Sequence, residues 1–227
     1  MTDFVFPAAE TPALPIAGAS ACFPVRRILC VGRNYAAHRR EMGGDDREPP
    51  FFFAKPADAV VTGGADVAYP SVTANLHHEI ELVAALSGGG TDIAPADALA
   101  LVFGYAAGVD LTRRDLQNAA KDKGQPWEAS KGFDQSAPIG PIRPAIGAGQ
   151  PEGRISLSVN GQVRQDAQLS DMIWNLAEVI AQASRLWRLA PGDLIFTGTP
   201  EGVGPLVRGD RVAGAVEGVG EVEFGIV

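Results

Sequence analysis

The chain has 227 residues, 46% of them hydrophobic and 20% charged, with a formal net charge of −8. That is an ordinary balance for a folded globular protein and leaves enough apolar material for a sizeable core. No basic run exceeds a pair of arginines, so nucleic acid is not an expected partner. An anionic substrate would need local positive groups or a bound cation to approach this acidic chain. Two cysteines, Cys22 and Cys30, are too few and too close for a disulfide framework. The start carries Asp3 and Glu10 and lacks the basic-then-apolar pattern of a signal peptide. No apolar run approaches the roughly 20 residues that span a bilayer. A cytoplasmic location and no membrane partner are expected.

In chain order, residues 1–24 are rich in Pro and Ala and read as an extended arm or irregular lead-in, with a single domain over 25–227. "RRILCVG" is a short buried strand ending at Gly32. From Ala36 to Met42 two helical turns fit; the Gly-Gly-Asp-Asp tail and paired prolines after them cannot continue a helix, which predicts a mobile segment. "PFFFAKPADAVV" and "DVAYP" read as strands punctuated by Pro, and "NLHHEIELVAAL" as a further strand before the Gly88–Gly90 turn. "APADALALVFGYAAGVD" predicts a short helix with Pro95 in its first turn, then a buried strand ending at Asp110. Thr112 and Asp115 have capping-box spacing at the start of a helix that Gly124 would end. One long helix is expected over "SDMIWNLAEVIAQASRLWRL", with Ser170 as N-cap. The tail divides into short strands at glycine turns. No GxGxxG follows a strand and opens a helix, so no dinucleotide site is expected. The pattern is β-rich α+β.

The chemistry begins with "NLHHEIELVAAL". As a strand, it sends His77, Glu79, Glu81 and Val83 to one face. As a helix, it would splay the two glutamates by roughly 200°. Two carboxylates aimed at one spot repel unless water, a proton or a cation lies between them. Asp110, ending a buried strand, is a third carboxylate where an unpaired charge is costly. An all-oxygen set suits Mg²⁺, Mn²⁺ or Ca²⁺, but a solvated strand face would look the same in sequence.

Five motifs in order, "GRNYAAHRREM", "LHHEIEL", "GVDLTRRDLQ", "WEASKGFD" and "GDLIFTGTPEGVG", resemble the fumarylacetoacetate hydrolase family, in its short acylpyruvase and fumarylpyruvate hydrolase branch. The resemblance covers roughly Val25 to Val227. It implies a mixed β-sheet roll flanked by short helices, usually a homodimer, and one Mg²⁺ or Mn²⁺ held by Glu79, Glu81 and Asp110. His38 and Glu41 match a dyad that activates water. Arg33, Arg114, Gln117 and Lys131 match residues at the substrate's oxo-acid end, Lys131 also being placed to hold developing charge. Thr199 matches a position lining the same site. The implied reaction is hydrolysis of the C3–C4 bond of a 2,4-dioxo acid, a step of aromatic catabolism. Oxaloacetate decarboxylation, a dienoate isomerase or hydratase, and a non-catalytic oxo-acid-binding protein are the alternatives. Arg40 is a candidate partner for a second substrate carboxylate.

Overall fold

The computed structural model describes residues 3–35, 48–145 and 149–227. Its first half carries β1 (Ala13–Pro15), β2 (Cys22–Pro24), β3 (Arg27–Gly32), β4 (Phe51–Lys55), β5 (Val60–Val61), β6 (Leu76–His78) and β7 (Ile80–Leu86). Helix α1 (Pro95–Ala98) leads into β8 (Val102–Val109) and β9 (Thr112–Arg113), followed by α2 (Arg114–Asp122) and α3 (Glu128–Lys131). After β10 (Ala137–Pro138) and β11 (Arg143–Pro144) come β12 (Arg154–Val159), β13 (Gln162–Gln168) and α4 (Leu176–Leu186). The chain closes with β14 (Asp193–Phe196), β15 (Gly204–Leu206), β16 (Arg211–Val216) and β17 (Gly220–Gly225).

A six-stranded sheet in the order β11-β8-β7-β14-β3-β4 forms the centre. It is mixed, because β14 runs parallel to β3 and antiparallel to β7. Every residue of β7 is buried, as expected for a strand covered on both faces. Ile80, Leu82, Ala84 and Leu86 pack with Ile155, Leu157, Val212 and Val222 of a four-stranded sheet, β13-β12-β16-β17, and with Val179 and Ile180 of α4. Val83 and Ala85 join Ile28, Cys30, Leu194 and Phe196 in a second cluster on the opposite face. The architecture is the β-rich α+β roll flanked by short helices that the sequence predicts. Among the described residues no helix is long and apolar enough to cross a membrane.

A corner positions the site. β6 and β9 belong to a three-stranded sheet, β15-β6-β9, whereas their continuations β7 and β8 belong to the six-stranded one. The register runs from His77 opposite Thr112 in one sheet to Ile80 opposite Val109 in the other. The β6–β7 and β8–β9 stretches therefore change sheets side by side, at Glu79 and at Asp110. The Asp110 N–H donates to the Glu79 carbonyl at 2.8 Å, which holds the break closed.

Several local expectations change. The lead-in contains the β1–β2 hairpin, whose Leu14 and Phe23 are buried in the second cluster. "DVAYP" makes only an isolated bridge, Val67 to Ile226. Helix α4 begins six residues later than Ser170, with Asn175 as N-cap, and Leu169–Asp171 form a separate 3₁₀ turn. Asn175 and Glu178 exchange side-chain and backbone hydrogen bonds at 3.0 Å, a capping box that fixes this start. No capping box forms at Thr112. Asp115 instead accepts hydrogen bonds from Thr73 and, at 3.0 Å, from the Ala74 N–H. Gly124 follows α2 at φ +63°, the left-handed conformation that ends many helices.

Candidate active site

Strand alternation across the corner sends Glu79 and Glu81 to the same side, and Asp110 meets them from the end of the neighbouring strand β8. Each offers a carboxylate oxygen, and these oxygens lie within 4.8 Å of one another. All three residues are buried, Asp110 completely. Lys131, at the end of α3, reaches in with its ammonium 2.8 Å from Glu79 Oε2, 2.6 Å from Asp110 Oδ2 and 2.7 Å from Thr112 Oγ1. Burial pulls its pKa down, but Asp110 and Glu79 outweigh this and leave it raised, so the ammonium stays protonated. Arg114, at the start of α2, donates to Glu79 and to Gln117.

The residues present fit a hard divalent cation. Glu81 accepts the Gly198 N–H at 2.7 Å and forms no ion pair among the described residues. Burial, and then Asp110 and Glu79, push its carboxyl well above the usual range. Asp110 Oδ1 accepts no hydrogen bond among the described residues and is paired with the Lys55 ammonium, 2.8 Å away. Glu81, buried and with no ion pair among the described residues, completes with Glu79 and Asp110 an all-oxygen donor set of the kind that holds a hard divalent cation. Mg²⁺ or Mn²⁺ satisfies that chemistry. The Gly198 turn needs its glycine: φ is +95°, and a Cβ there would fall 2.7 Å from Asn34 Cβ.

Arg33, Arg114, Gln117, Lys131 and Thr199 line one cleft with Glu79, Glu81, Phe53 and Trp127. The structure thus brings together eight of the site residues read from the sequence, counting Asp110 behind Lys131. His38, Glu41 and Arg40 lie outside the described residues.

Four residues join the site without having been read as site residues from the sequence. Lys55, the only charge in "FFFAK", is fully buried against Asp110 and donates to the Leu111 carbonyl at 3.2 Å. Thr112 receives Lys131. His77 accepts from Arg114 Nε at 3.4 Å through Nδ1 and meets Asn75 Oδ1 at 2.9 Å through Nε2, a neutral ring. Burial, with Arg114, lowers its pKa to about 4. Gln165 is the most connected. Its Oε1 accepts the Ile80 N–H at 3.1 Å and meets His78 Nδ1 at 2.9 Å. Its amide donates to Thr199 Oγ1 at 2.8 Å and to the Pro200 carbonyl at 3.0 Å. One buried side chain thereby ties the glutamate corner to the Thr199 turn.

A mixed-sheet roll with a carboxylate triad at a sheet corner, and a buried lysine hydrogen-bonded to two of the three, has the donor set of an enzyme built around a divalent ion. The chain belongs to the fumarylacetoacetate hydrolase family: the pattern described as fumarylacetoacetate (FAA) hydrolase C-terminal matches residues 27–227. It is 46% identical to a fumarylpyruvate hydrolase of a Ralstonia species over 78% of this chain and 92% of that protein. The crystal structure of fumarylpyruvate hydrolase from Pseudomonas aeruginosa in complex with Mn²⁺ and pyruvate superposes with a TM-score of 0.96, at 52% identity and 99% coverage of both chains. A mitochondrial oxaloacetate tautomerase of Mus musculus is 40% identical over 88% of this chain and 90% of that protein.

Proposed function

We propose that this chain is a metal-dependent hydrolase that cleaves the C3–C4 bond of a 2,4-dioxo acid, fumarylpyruvate or another acylpyruvate, to pyruvate and a carboxylic acid. The observation that carries the reading is the buried triad of Glu79, Glu81 and Asp110, with the Lys131 ammonium held against it in a cleft lined by two arginines. The pyruvate and Mn²⁺ of the Pseudomonas complex are the product half and the kind of ion that this reaction requires.

When held by the three carboxylates, a Mg²⁺ or Mn²⁺ ion polarises the oxo-acid end and offsets enolate charge. Arg114 and Gln117 on α2 receive the substrate carboxylate. The Thr199 hydroxyl has one lone pair occupied by the Gln165 amide, so its hydrogen is free to donate into the cleft. His38, oriented by Glu41, removes a proton from the water that attacks C4. A C–O bond forms at C4, the C3–C4 pair moves to C3 as the enolate of pyruvate, and C3 then takes up a proton. Lys131, kept cationic by its carboxylates, places a fixed positive charge beside the oxygen on which charge develops. The same reading takes residues 25–227 as one catalytic domain of a cytoplasmic homodimer serving aromatic catabolism.

Metal-loaded protein assayed on fumarylpyruvate, acetylpyruvate and oxaloacetate tests this directly. Hydrolysis of the first two is expected, with His38→Ala losing roughly 10²–10⁴ of it, the range of a general base. Oxaloacetate chemistry needs no attacking water, so its ratio to hydrolysis rises in that variant. Turnover of oxaloacetate alone would favour the activity named for the mouse relative and end the hydrolase reading.

A further inference from the structure

Beside the carboxylate cleft lies a recess walled by aromatic rings. Phe51 and Phe53 lie two apart on β4 and share a face, while Phe52 turns the other way onto Trp187. Both rings meet Trp127, Phe51 edge-on at 5.1 Å and Phe53 at 6.0 Å between centroids. Phe53 stands at the inner end, its ring 5.0 Å from Lys131 Nζ. Phe51 stands at the outer end, beneath the Arg33 guanidinium at 5.7 Å. Its place depends on Gly32, the residue opposite it in the β3–β4 register; a Cβ there would lie 2.1 Å from Phe51 Cζ. The recess holds about 430 Å³, is lined also by Phe52 and Pro126, and adjoins the carboxylate cleft, sharing Arg33, Phe53 and Trp127 with it.

Arg33 stands at the junction of the two spaces. Its φ is +60°, a left-handed conformation uncommon for a residue with a Cβ. Its Nε is buried and has no hydrogen-bond partner among the described residues. The Arg33 guanidinium, which lines both spaces, presents a planar cation that can pair with an anionic ligand there. The surrounding rings offer flat apolar faces, which suit a planar conjugated chain better than a branched or bulky one.

We infer that this recess is the acyl-tail subsite, built for a planar, unsaturated acyl group ending in a carboxylate. Arg33 binds that distal carboxylate, and Phe51, Phe53 and Trp127 contact the conjugated chain. Arg33 then serves the tail of the substrate, not the oxo-acid end that the family resemblance implies. Glu128 on the outer wall repels the same carboxylate and directs it towards Arg33. The inference rests on the hydrolase reading, and it adds the group that separates a dicarboxylic substrate from a simple acylpyruvate.

The test compares kcat/KM for fumarylpyruvate and for acetylpyruvate, which shares the oxo-acid head and ends in a methyl group. In Arg33→Gln the fumarylpyruvate-to-acetylpyruvate ratio is expected to fall about 10- to 100-fold, the size of one charge-assisted hydrogen bond. Arg33→Lys is expected to recover part of that loss, and Phe51→Leu to lower the same ratio by a smaller factor. Oxalate binding to the manganese-loaded variants, measured by calorimetry, reports that fold and head-binding site persist. Equal losses on both substrates with weakened oxalate binding would assign Arg33 to the oxo-acid end and overturn the inference. An unchanged ratio in Arg33→Gln and Phe51→Leu would overturn it as well. If the unaltered enzyme binds oxalate but hydrolyses neither substrate, the hydrolase reading itself fails and takes the subsite with it, a result visible before any variant is made.

Discussion

Lys131 and Arg154 each meet an aspartate oxygen at 2.6 Å. The Lys131–Asp110 pair is sealed in the sheet corner, with side chains 2% and 0% exposed; the Arg154–Asp166 pair lies across β12 and β13 with side chains 50% and 49% exposed. The distance is the same and the physics is not. In the corner, desolvation of every charge is costly, and removal of one partner strands the others away from water. On the open sheet, water and salt already solvate both partners, and little rests on their meeting. A chain that keeps Lys55, Lys131, Glu79, Glu81 and Asp110 buried together is holding charge in place for a ligand, since apolar residues would stabilise the same corner at least as well.

The largest expected effect is therefore at Asp110. Asp110→Ala removes the carboxylate shared by Lys55 and Lys131 and leaves both ammonium groups buried with less counter-charge. Breaking such a cluster costs about 3–5 kcal/mol, or a fall in Tm of roughly 6–20 °C for a chain this size, measured in the presence of a chelator. Metal-dependent turnover is expected to vanish, with Mn²⁺ affinity lost by calorimetry. Retained Mn²⁺ affinity in a folded variant would show that Asp110 is not a ligand and that the corner is only structural.

A smaller effect is expected at Gln165, which belongs to the open four-stranded sheet and reaches into the corner. Gln165→Met keeps the side chain's length and removes its polar atoms, leaving the Ile80 N–H without a partner at a cost of about 1–3 kcal/mol. It also releases Thr199 and the Pro200 carbonyl. Because partners behind a metal site typically tune it by 10- to 100-fold, a loss of about that size is expected in Mn²⁺ affinity or kcat/KM. Destabilisation with both quantities unchanged would reduce Gln165 to a structural tie.

The contrast also explains what could be read in advance. Glu79 and Glu81 were legible because strand alternation is local: two positions decide the face. Asp110 was legible because it ends an apolar strand. Gln165 was not, since it acts on residues 85 and 34 positions away, and "QVRQDAQ" marks none of its glutamines apart. Capping signals misled for a related reason. Thr112 and Asp115 have the right spacing, but Lys131 claims one side chain and Thr73 with Ala74 claims the other. At α4, Met172 and Ile173 extend the apolar period upstream, while the true start is the Asn175–Glu178 box inside it. Leu14 and Phe23, single apolar residues among Pro and Ala, give too short a pattern to announce a hairpin.

The smallest effect is expected where the geometry looks best. Arg154 Nε and Nη2 reach Asp166 Oδ1 and Oδ2 at 2.6 and 2.8 Å, a two-pronged contact with nearly ideal lengths. The hydrogen bond from Arg154 lowers the Asp166 pKa, so whatever the pair contributes is present above the ordinary aspartate range and is lost as pH falls through the lowered value. Both groups are nevertheless open to solvent, and the long arginine must give up rotamer freedom to hold one pose. A double-mutant cycle of Arg154→Ala and Asp166→Ala, read by Tm at pH 7, is expected to show coupling near the limit of detection at low salt. At 1 M NaCl, where the screening length is only about 3 Å, it is expected to show none. The same salt leaves the loss in Asp110→Ala largely intact, because ions do not enter the corner. If the Arg154–Asp166 coupling persisted at high salt and matched the effect at Asp110, exposure would not be what separates the two regions, and the case for the corner as a site kept for a ligand would lose its main physical support.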